Sequence, residues 1–416
     1  MTVRAPGSDP VTPVQGSDPG RARIERIETI RLGSQSNVLW VEVTDEDGVT
    51  GLGESYYIPG AMEAVLHDMA APLVLGREAA AIEDIWQTLY ACANFYGAAG
   101  AELRAFSALD IALWDLLGRR TGLPVSTLLG GRVRETIRVY NTCVNAGQYA
   151  DADGWLERPA ELAEELLETG VAGMKLWPWD RFAPQIEGQL VTGPAGWSAM
   201  GPVGHDLRPD ELRAGLAAVE AIRERVGDRI DIVIEGHSRW DLNAALRILR
   251  ALEPFEVLWA EDMIQPDSRA DLARLVAETR VPQAVSERLF TRHAYREVLE
   301  RRAAHVVMVD VVWTGGLTEA RKVAALADTY HLPVAPHDCV GPVALAAALQ
   351  LCAHAPNAMV METVRGFVEG WYRDAVTEPF PIEDGVARIS DRPGLGLELL
   401  PDLRLREDAV VRTSAA

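Results

Sequence analysis

Three glutamates recur at one interval. Glu235 closes the run IDIVIE, Glu261 closes EVLWAE and Glu287 closes PQAVSE, each 26 residues from the next. That interval is the length of one strand plus one helix, so the three carboxylates come from consecutive strand ends of a repeating fold. Read the same way, other short apolar runs end in Lys175, Asp310, His337 and Glu362. Five acids, a lysine and a histidine on one rim are costly to desolvate, and the acids repel one another. A divalent cation relieves both problems. Acid-only, all-oxygen ligation suits magnesium, which leaves positions open for water and substrate, whereas zinc favours histidine or cysteine.

The elements that must hold this rim are legible along the chain. From 135 onward, short apolar runs (IRVYNTCV, VAGMKLW, IDIVIE, EVLWAE, PQAVSE, HVVMVD, LPVAPH, AMVMET) alternate with amphipathic stretches such as PDELRAGLAAVEAIRERVG and LTEARKVAALADTY. Eight runs in a βα rhythm match a barrel of the (β/α) type, whose chemistry gathers at the C-terminal ends of its strands. An open doubly wound sheet is the alternative, but no GxGxxG follows the first strand. Before the barrel, 22–134 reads as a small α+β domain. NVLWVEVTDEDGVTGLGES is a hairpin about DEDG, and a helix carrying Leu109, Leu113 and Leu116 closes at Gly122 and Pro124. The segment 365–416 lacks the barrel rhythm and is expected to return to the first domain. Residues 1–21, rich in Pro and Gly with GSDP twice, are expected to be a disordered tail.

Composition excludes several function classes. With 40 Lys and Arg against 61 Asp and Glu in 416 residues, the formal charge is −21. A field of that sign repels nucleic acid and anionic membrane, but a bound cation can invert it locally for a small anionic substrate. The four cysteines form no CxxC pair, there is no signal-like apolar stretch at the N-terminus, and no run reaches the roughly 20 apolar residues of a membrane span. A soluble, cytoplasmic protein is expected.

With these residues in hand, the sequence resembles the enolase superfamily in its mandelate racemase subgroup, over about 22–405. SALDIALWDLLGRRTGLPVSTLLGG resembles the family's signature helix, and IEGH, WAED and VSER its three metal-ligand strands. VVMVDVVWTGGLTEARKVAALA and VAPHDCVGPVALAAA resemble the two strand–helix units that follow, and DRPGLGLEL the C-terminal part of the cap. The resemblance implies a modified TIM barrel, (β/α)7β, under an α+β capping domain. It implies that Glu235, Glu261 and Glu287 bind a magnesium ion chelated by a substrate carboxylate. It implies that Asp310 orients His337, that His337 removes the proton α to that carboxylate, and that Glu362 hydrogen-bonds the enolate side. Homo-oligomers are expected by the same analogy.

Two departures choose among the family's reactions. Racemising and lactonising relatives carry Lys-x-Lys on the second strand, and the second lysine is a base; here MKLW puts Trp177 at that position and leaves Lys175 to bind the substrate carboxylate or a metal-site acid. Glu235-Gly236-His237 is similar to the Asp-x-His of the family's sugar-acid dehydratases, where the histidine protonates the departing 3-hydroxyl. Glu replaces Asp as the first ligand, which lengthens that arm. A base at His337 and an acid at His237 spell β-elimination of water from an aldonate or aldarate to a 2-keto-3-deoxy acid. Epimerisation, racemisation or cycloisomerisation through the same enediolate is the alternative, and a non-catalytic binding protein the third reading. Substrate contacts are expected from Tyr56, Tyr57, Trp177 and Trp179, with the loop 33–37 and the long segment 177–208 around them. Arg239 and Arg288 are candidates for a second substrate carboxylate.

Overall fold

The computed structural model describes residues 20–95, 97–185, 201–378 and 381–416. Most of the tail expected over 1–21, and the 186–200 part of the long loop, lie outside them. The cap begins with an antiparallel meander, β1 (Ile24–Leu32), β2 (Val38–Asp45) and β3 (Thr50–Tyr56), with Trp40 opposite Glu54. Gly48, at φ 83°, turns the hairpin about DEDG. Helix α1 (Ile82–Ala93) follows, and α2 (Ala101–Thr121) lies against the sheet and stops at Gly122, φ 68°. The two glycines of TGLGES set how closely α2 approaches. A Cβ on Gly53 would stand 1.9 Å from the carbonyl oxygen of Ala108, and one on Gly51 2.1 Å from that of Ala112. Any side chain at either position would push the helix off the sheet.

The second sheet contains the eight expected parallel strands. They are β4 (Thr136–Thr142), β5 (Gly173–Leu176), β6 (Asp231–Glu235), β7 (Trp259–Glu261), β8 (Gln283–Val285), β9 (Val306–Val309), β10 (Val334–Pro336) and β11 (Met361–Thr363). Successive strands pair from β4 to β10, and β11 pairs with β4. The sheet curls until the segment entering β11 meets β10, where Met359 N–H donates to Val334 O at 2.9 Å. An open sheet is thereby ruled out. The crossovers are α3 (Pro159–Glu168), α4 (Pro209–Val226), α5 (Leu242–Leu252), α6 (Arg269–Glu278), α7 (Thr291–Glu300), α8 (Gly316–Thr329) and α9 (Pro342–His354).

Strand alternation places the rim. Tyr140, Val233, Trp259, Ala284, Val306, Met308, Ala335 and Val360 pack together as a core cluster of their own, apart from the large cluster that joins strands to helices. Side chains two residues apart on a strand share a face. Thr142, Glu235, Glu261, Asp310, His337 and Glu362 each stand two residues beyond a member of that cluster, so they cap it at the C-terminal end. Glu287 falls outside this parity.

The C-terminal segment divides its contacts. A hairpin of β12 (Ile382–Glu383) and β13 (Val386–Arg388) extends the barrel sheet antiparallel to β4, and β14 (Ala409–Ala415) pairs with β1 in the cap. The segment 365–416, expected to return to the cap, thus packs on both units: the hairpin joins the barrel sheet, whereas Leu395 N–H donates to Asp115 Oδ1 and Arg119 NH1 to Glu398 Oε1, with Asp115 and Arg119 both in the cap helix α2, ahead of β14. Gly385 fits the hairpin against the end of α3: a Cβ there would lie 2.0 Å from Gly170 O. Cap and barrel meet through directed bonds. Trp86 Nε1 donates to Gly315 O at 2.7 Å, Trp114 Nε1 to Thr318 Oγ1 at 2.8 Å, and Ser55 Oγ to Val312 O at 2.9 Å. Among the described residues no helix is long and apolar enough to cross a membrane.

Candidate active site

The rim residues fall into three groups. In the first, Lys175 Nζ bridges acids from three other strands: Glu362 Oε1 at 2.5 Å, Glu261 Oε1 at 3.1 Å and Glu235 Oε2 at 3.6 Å. All four side chains are buried. Glu235 and Glu261 lie directly opposite in the β6–β7 register. Burial, with the Glu287 charge in support, pushes the Glu235 carboxyl up to about 8 against the pull of Lys175. Glu261 is raised by burial and by Glu235, again against Lys175. Burial disfavours the Lys175 cation too, but Glu261 and Glu362 outweigh it and hold the ammonium protonated. Glu362 also accepts from Thr142 Oγ1 and from Asp338 N–H, the latter at 3.1 Å.

In the second group, His337 Nδ1 and Asp310 Oδ2 lie 2.8 Å apart, and the other oxygen of Asp310 accepts Val312 N–H at 2.8 Å. Opposite this carboxyl group Nδ1 is positioned to donate, and Nε2 is turned toward the rim. Cys339 Sγ at 3.5 Å and Glu362 Oε2 at 3.9 Å are the polar neighbours of Nε2, and the Trp313 ring centroid is 5.2 Å from that of the imidazole. Burial lowers the pKa of this imidazole, but Cys339, Glu362 and Asp310 outweigh it and raise the net value.

The third group is centred on His237, whose backbone takes φ 43°, a left-handed conformation uncommon outside glycine. Its N–H donates to Glu235 Oε1 at 2.6 Å, so the acid organises the turn that carries the histidine. Its Nδ1 lies 2.5 Å from Asp180 Oδ2, and the Trp177 ring centroid is 5.7 Å away. Gly236 is required here because a Cβ would come within 2.8 Å of Met263 Cα.

Glu287 stands slightly apart, with Arg288 Nε 3.5 Å from its Oε1 and with Oε2 buried and lacking a hydrogen-bond partner among the described residues. Burial alone would raise its pKa; His337, Arg288 and Lys175 together reverse that and lower it. The donor set fits a hard divalent cation by its chemistry: buried carboxylates crowd one another, and one buried oxygen lacks a partner. Among the described residues, no group of three His, Cys, Asp or Glu side chains is already drawn together to hold a metal ion, and Lys175 bridges the acids instead.

The expected substrate contacts separate. Tyr57, half-buried at φ 67°, presents its ring 5.6 Å from that of Trp313. Trp177 lies beside His237. Tyr56 is 1% exposed and packs edge-on to Tyr57. Trp179 is buried beneath α4, where its ring fills the space over Gly215 and its indole N–H reaches Leu212 O at 3.3 Å. Arg288 NH2 donates to His237 O at 2.9 Å, and Arg239 to Pro184 O, so both arginines are engaged in holding loops. Sequence reasoning did not single out Asp180, Thr142, Trp313 or Arg104. Asp180 stands in WPWD, and only its position after a strand hinted at the rim.

A barrel with acids, a lysine and a histidine–aspartate pair at its strand ends, roofed by an α+β cap, is the architecture of the enolase superfamily. The chain belongs to its mandelate racemase / muconate lactonizing enzyme family. The family's N-terminal domain model matches residues 26–130, and the enolase C-terminal domain-like model matches 158–403. D-galactonate dehydratase from Variovorax paradoxus is 33% identical over 389 residues, 91% of this chain and 92% of that protein. The enzyme of that name from Pectobacterium atrosepticum is 32% identical over 92% of this chain and 93% of its own. Among solved structures, an enolase of the mandelate racemase subgroup from Agrobacterium tumefaciens aligns with TM-score 0.83 at 40% identity, over 95% of this chain and 99% of that one. An enolase from Sargasso Sea environmental sequencing aligns with TM-score 0.85 at 41% identity, over the same shares.

Proposed function

We propose that this chain is a hydro-lyase, a magnesium-dependent dehydratase that converts a sugar acid to its 2-keto-3-deoxy acid. The observation that carries the reading is the pair of histidine–aspartate contacts, His337 with Asp310 and His237 with Asp180, on a rim that also gathers buried glutamates. The relatives named D-galactonate dehydratase support it. Glu235, Glu261 and Glu287 would hold the magnesium ion, which when bound supplies positive charge beside the substrate carboxylate and lowers the cost of charge developing there.

The chain's own groups then divide the proton transfers. With Nδ1–H given to Asp310, His337 presents the Nε2 lone pair and takes the α-proton there. Asp310 lies buried beside the imidazolium that results and stabilises it. Asp180 accepts Nδ1–H of His237, so that His237 delivers a proton from Nε2 to the departing 3-hydroxyl. Lys175, ion-paired to Glu261 and Glu362, is committed as a cation and offers no second base, which weighs against racemisation. Glu362, held by Thr142 and Asp338, then hydrogen-bonds the enediolate side of the substrate.

The test is a screen of aldonates and aldarates, D-galactonate among them, for 2-keto acid. Keto acid formed with magnesium, stopped by EDTA and abolished in His337→Asn supports the reading. An isomeric product with α-proton exchange and no keto acid replaces it with an epimerase or cycloisomerase. No α-proton exchange from any of these acids overturns both.

A further inference from the structure

Arg104 rises from the first turn of α2 toward the rim. Its guanidinium carbon lies 3.9 Å from the centroid of the Trp313 ring and 5.6 Å from that of Tyr57, and NH1 donates to Tyr56 O at 2.9 Å. The Trp313 ring in turn neighbours His337, at 5.2 Å between centroids. A cation from the cap and the imidazole of the barrel are thus separated by one indole. The charges of Asp310 and Glu287 act on Arg104, but among the described residues no Asp or Glu comes within ion-pair distance of it. Beside it, Trp313 is 6% exposed, and its buried indole N–H has no acceptor among the described residues.

A buried indole N–H without an acceptor, beside a guanidinium that is bonded to one carbonyl and paired with no carboxylate, leaves donor capacity for an acceptor-rich group arriving from outside. Arg288 and Arg239 cannot serve, since Arg288 already binds His237 O and faces Glu287 and Asp262, while Arg239 binds Pro184 O. We propose that Arg104, with the Trp313 indole N–H beside it, binds a carboxylate at the end of the substrate remote from the α-carbon, so that the preferred substrates are aldaric rather than aldonic acids. This rests on the reading of the rim as an acid-sugar site. Stacking on Trp313 holds the guanidinium plane, which suits two parallel bonds to a planar carboxylate better than single bonds to hydroxyls.

The experiment uses matched acids that differ at C6 alone: galactarate with D-galactonate, and D-glucarate with D-gluconate. Binding to the full chain is measured by isothermal titration with magnesium present, for wild type, Arg104→Gln and Arg104→Lys. Circular dichroism melts confirm that each variant folds. In at least one pair the wild type is expected to bind the diacid at least tenfold more tightly than its monoacid. Arg104→Gln loses that preference while monoacid affinity changes less than threefold, and Arg104→Lys keeps part of it. Equal weakening of both acids, a preference that survives in Arg104→Gln, or no binding of either diacid overturns the assignment. Keto-acid assay of the same samples separates this result from the dehydratase reading. A diacid bound through Arg104 that yields no keto acid defeats the activity and leaves the subsite standing. A diacid bound and dehydrated equally well by wild type and Arg104→Gln does the reverse.

Discussion

The carboxyl group of Glu54, on β3 of the cap, accepts the backbone N–H of Ala344 in the first turn of barrel helix α9 at 3.1 Å. Its other oxygen accepts Trp40 Nε1–H at 2.8 Å, and a Cβ on Gly341 would lie 2.2 Å from Glu54 Oε1. Since α9 follows the strand that leads to His337, this buried acid ties the cap to the rim it covers. Burial pushes the Glu54 carboxyl up to about 8 despite these donors. A folded pKa above the unfolded one means the folded chain holds the extra proton. Its contribution is fully present below the ordinary carboxyl range and is lost as pH rises through about 8. The thermal midpoint of the wild type should therefore fall more between pH 5 and pH 8.5 than that of Glu54→Gln, in paired scanning-fluorimetry curves. Parallel curves would refute it. Gly341→Ala should lower the midpoint at every pH by displacing this carboxyl group.

His237 and His337 are assigned different steps, and isotope exchange separates them. His237→Asn should retain exchange of the substrate α-proton with deuterated water while keto-acid formation falls by roughly a hundredfold or more, the usual range for a general acid. His337→Asn should lose both. Proton NMR of whichever acid the screen identifies reads the exchange, and equal loss in the two variants would count against the division of labour.

Asp310→Asn keeps the size of the side chain but can donate to His337 Nδ1, which favours the tautomer with the proton on Nε2. A comparable Asp→Asn change in a serine protease triad costs about ten-thousandfold. Here the turnover number should drop roughly a thousandfold or more, with an unchanged melt and unchanged magnesium affinity. A loss below tenfold would show that the orientation of the imidazole does not depend on Asp310.

Magnesium should stabilise the fold by mass action, by about 2.7 kcal/mol at a hundred times its dissociation constant. The midpoint should rise on addition and fall back with EDTA. Glu287→Gln should abolish most of that rise, read against the variant's own metal-free midpoint. Lys175→Met should cost roughly 3–5 kcal/mol without metal, since it leaves Glu261 and Glu362 buried without their cation. A smaller loss with magnesium present is expected if the ion compensates the same acids.

How much of this was legible in the residues follows from what each feature depends on. The barrel strands, the three spaced glutamates, and the ends at Asp310, His337 and Glu362 were all readable. A repeat of strand and helix has a fixed length and strand side chains alternate, so linear spacing becomes position on a rim. Gly48 and Gly122 announced their turns for a similar local reason: only a residue without a Cβ takes those angles cheaply. Other features depend on contact between distant parts of the chain, which carry no periodic signal. Asp180 meets His237 because the loop after β5 folds over the end of β6. Arg104 meets Trp313 because two glycines let α2 settle close to the cap sheet. Trp179 looked like a rim aromatic by its position, yet the small Gly215 on α4 opened a space that buries it. Spacing therefore determined which side chains share an end of the barrel, while the packing of loops and cap decided which of them touch, because contact depends on volumes that no single segment specifies.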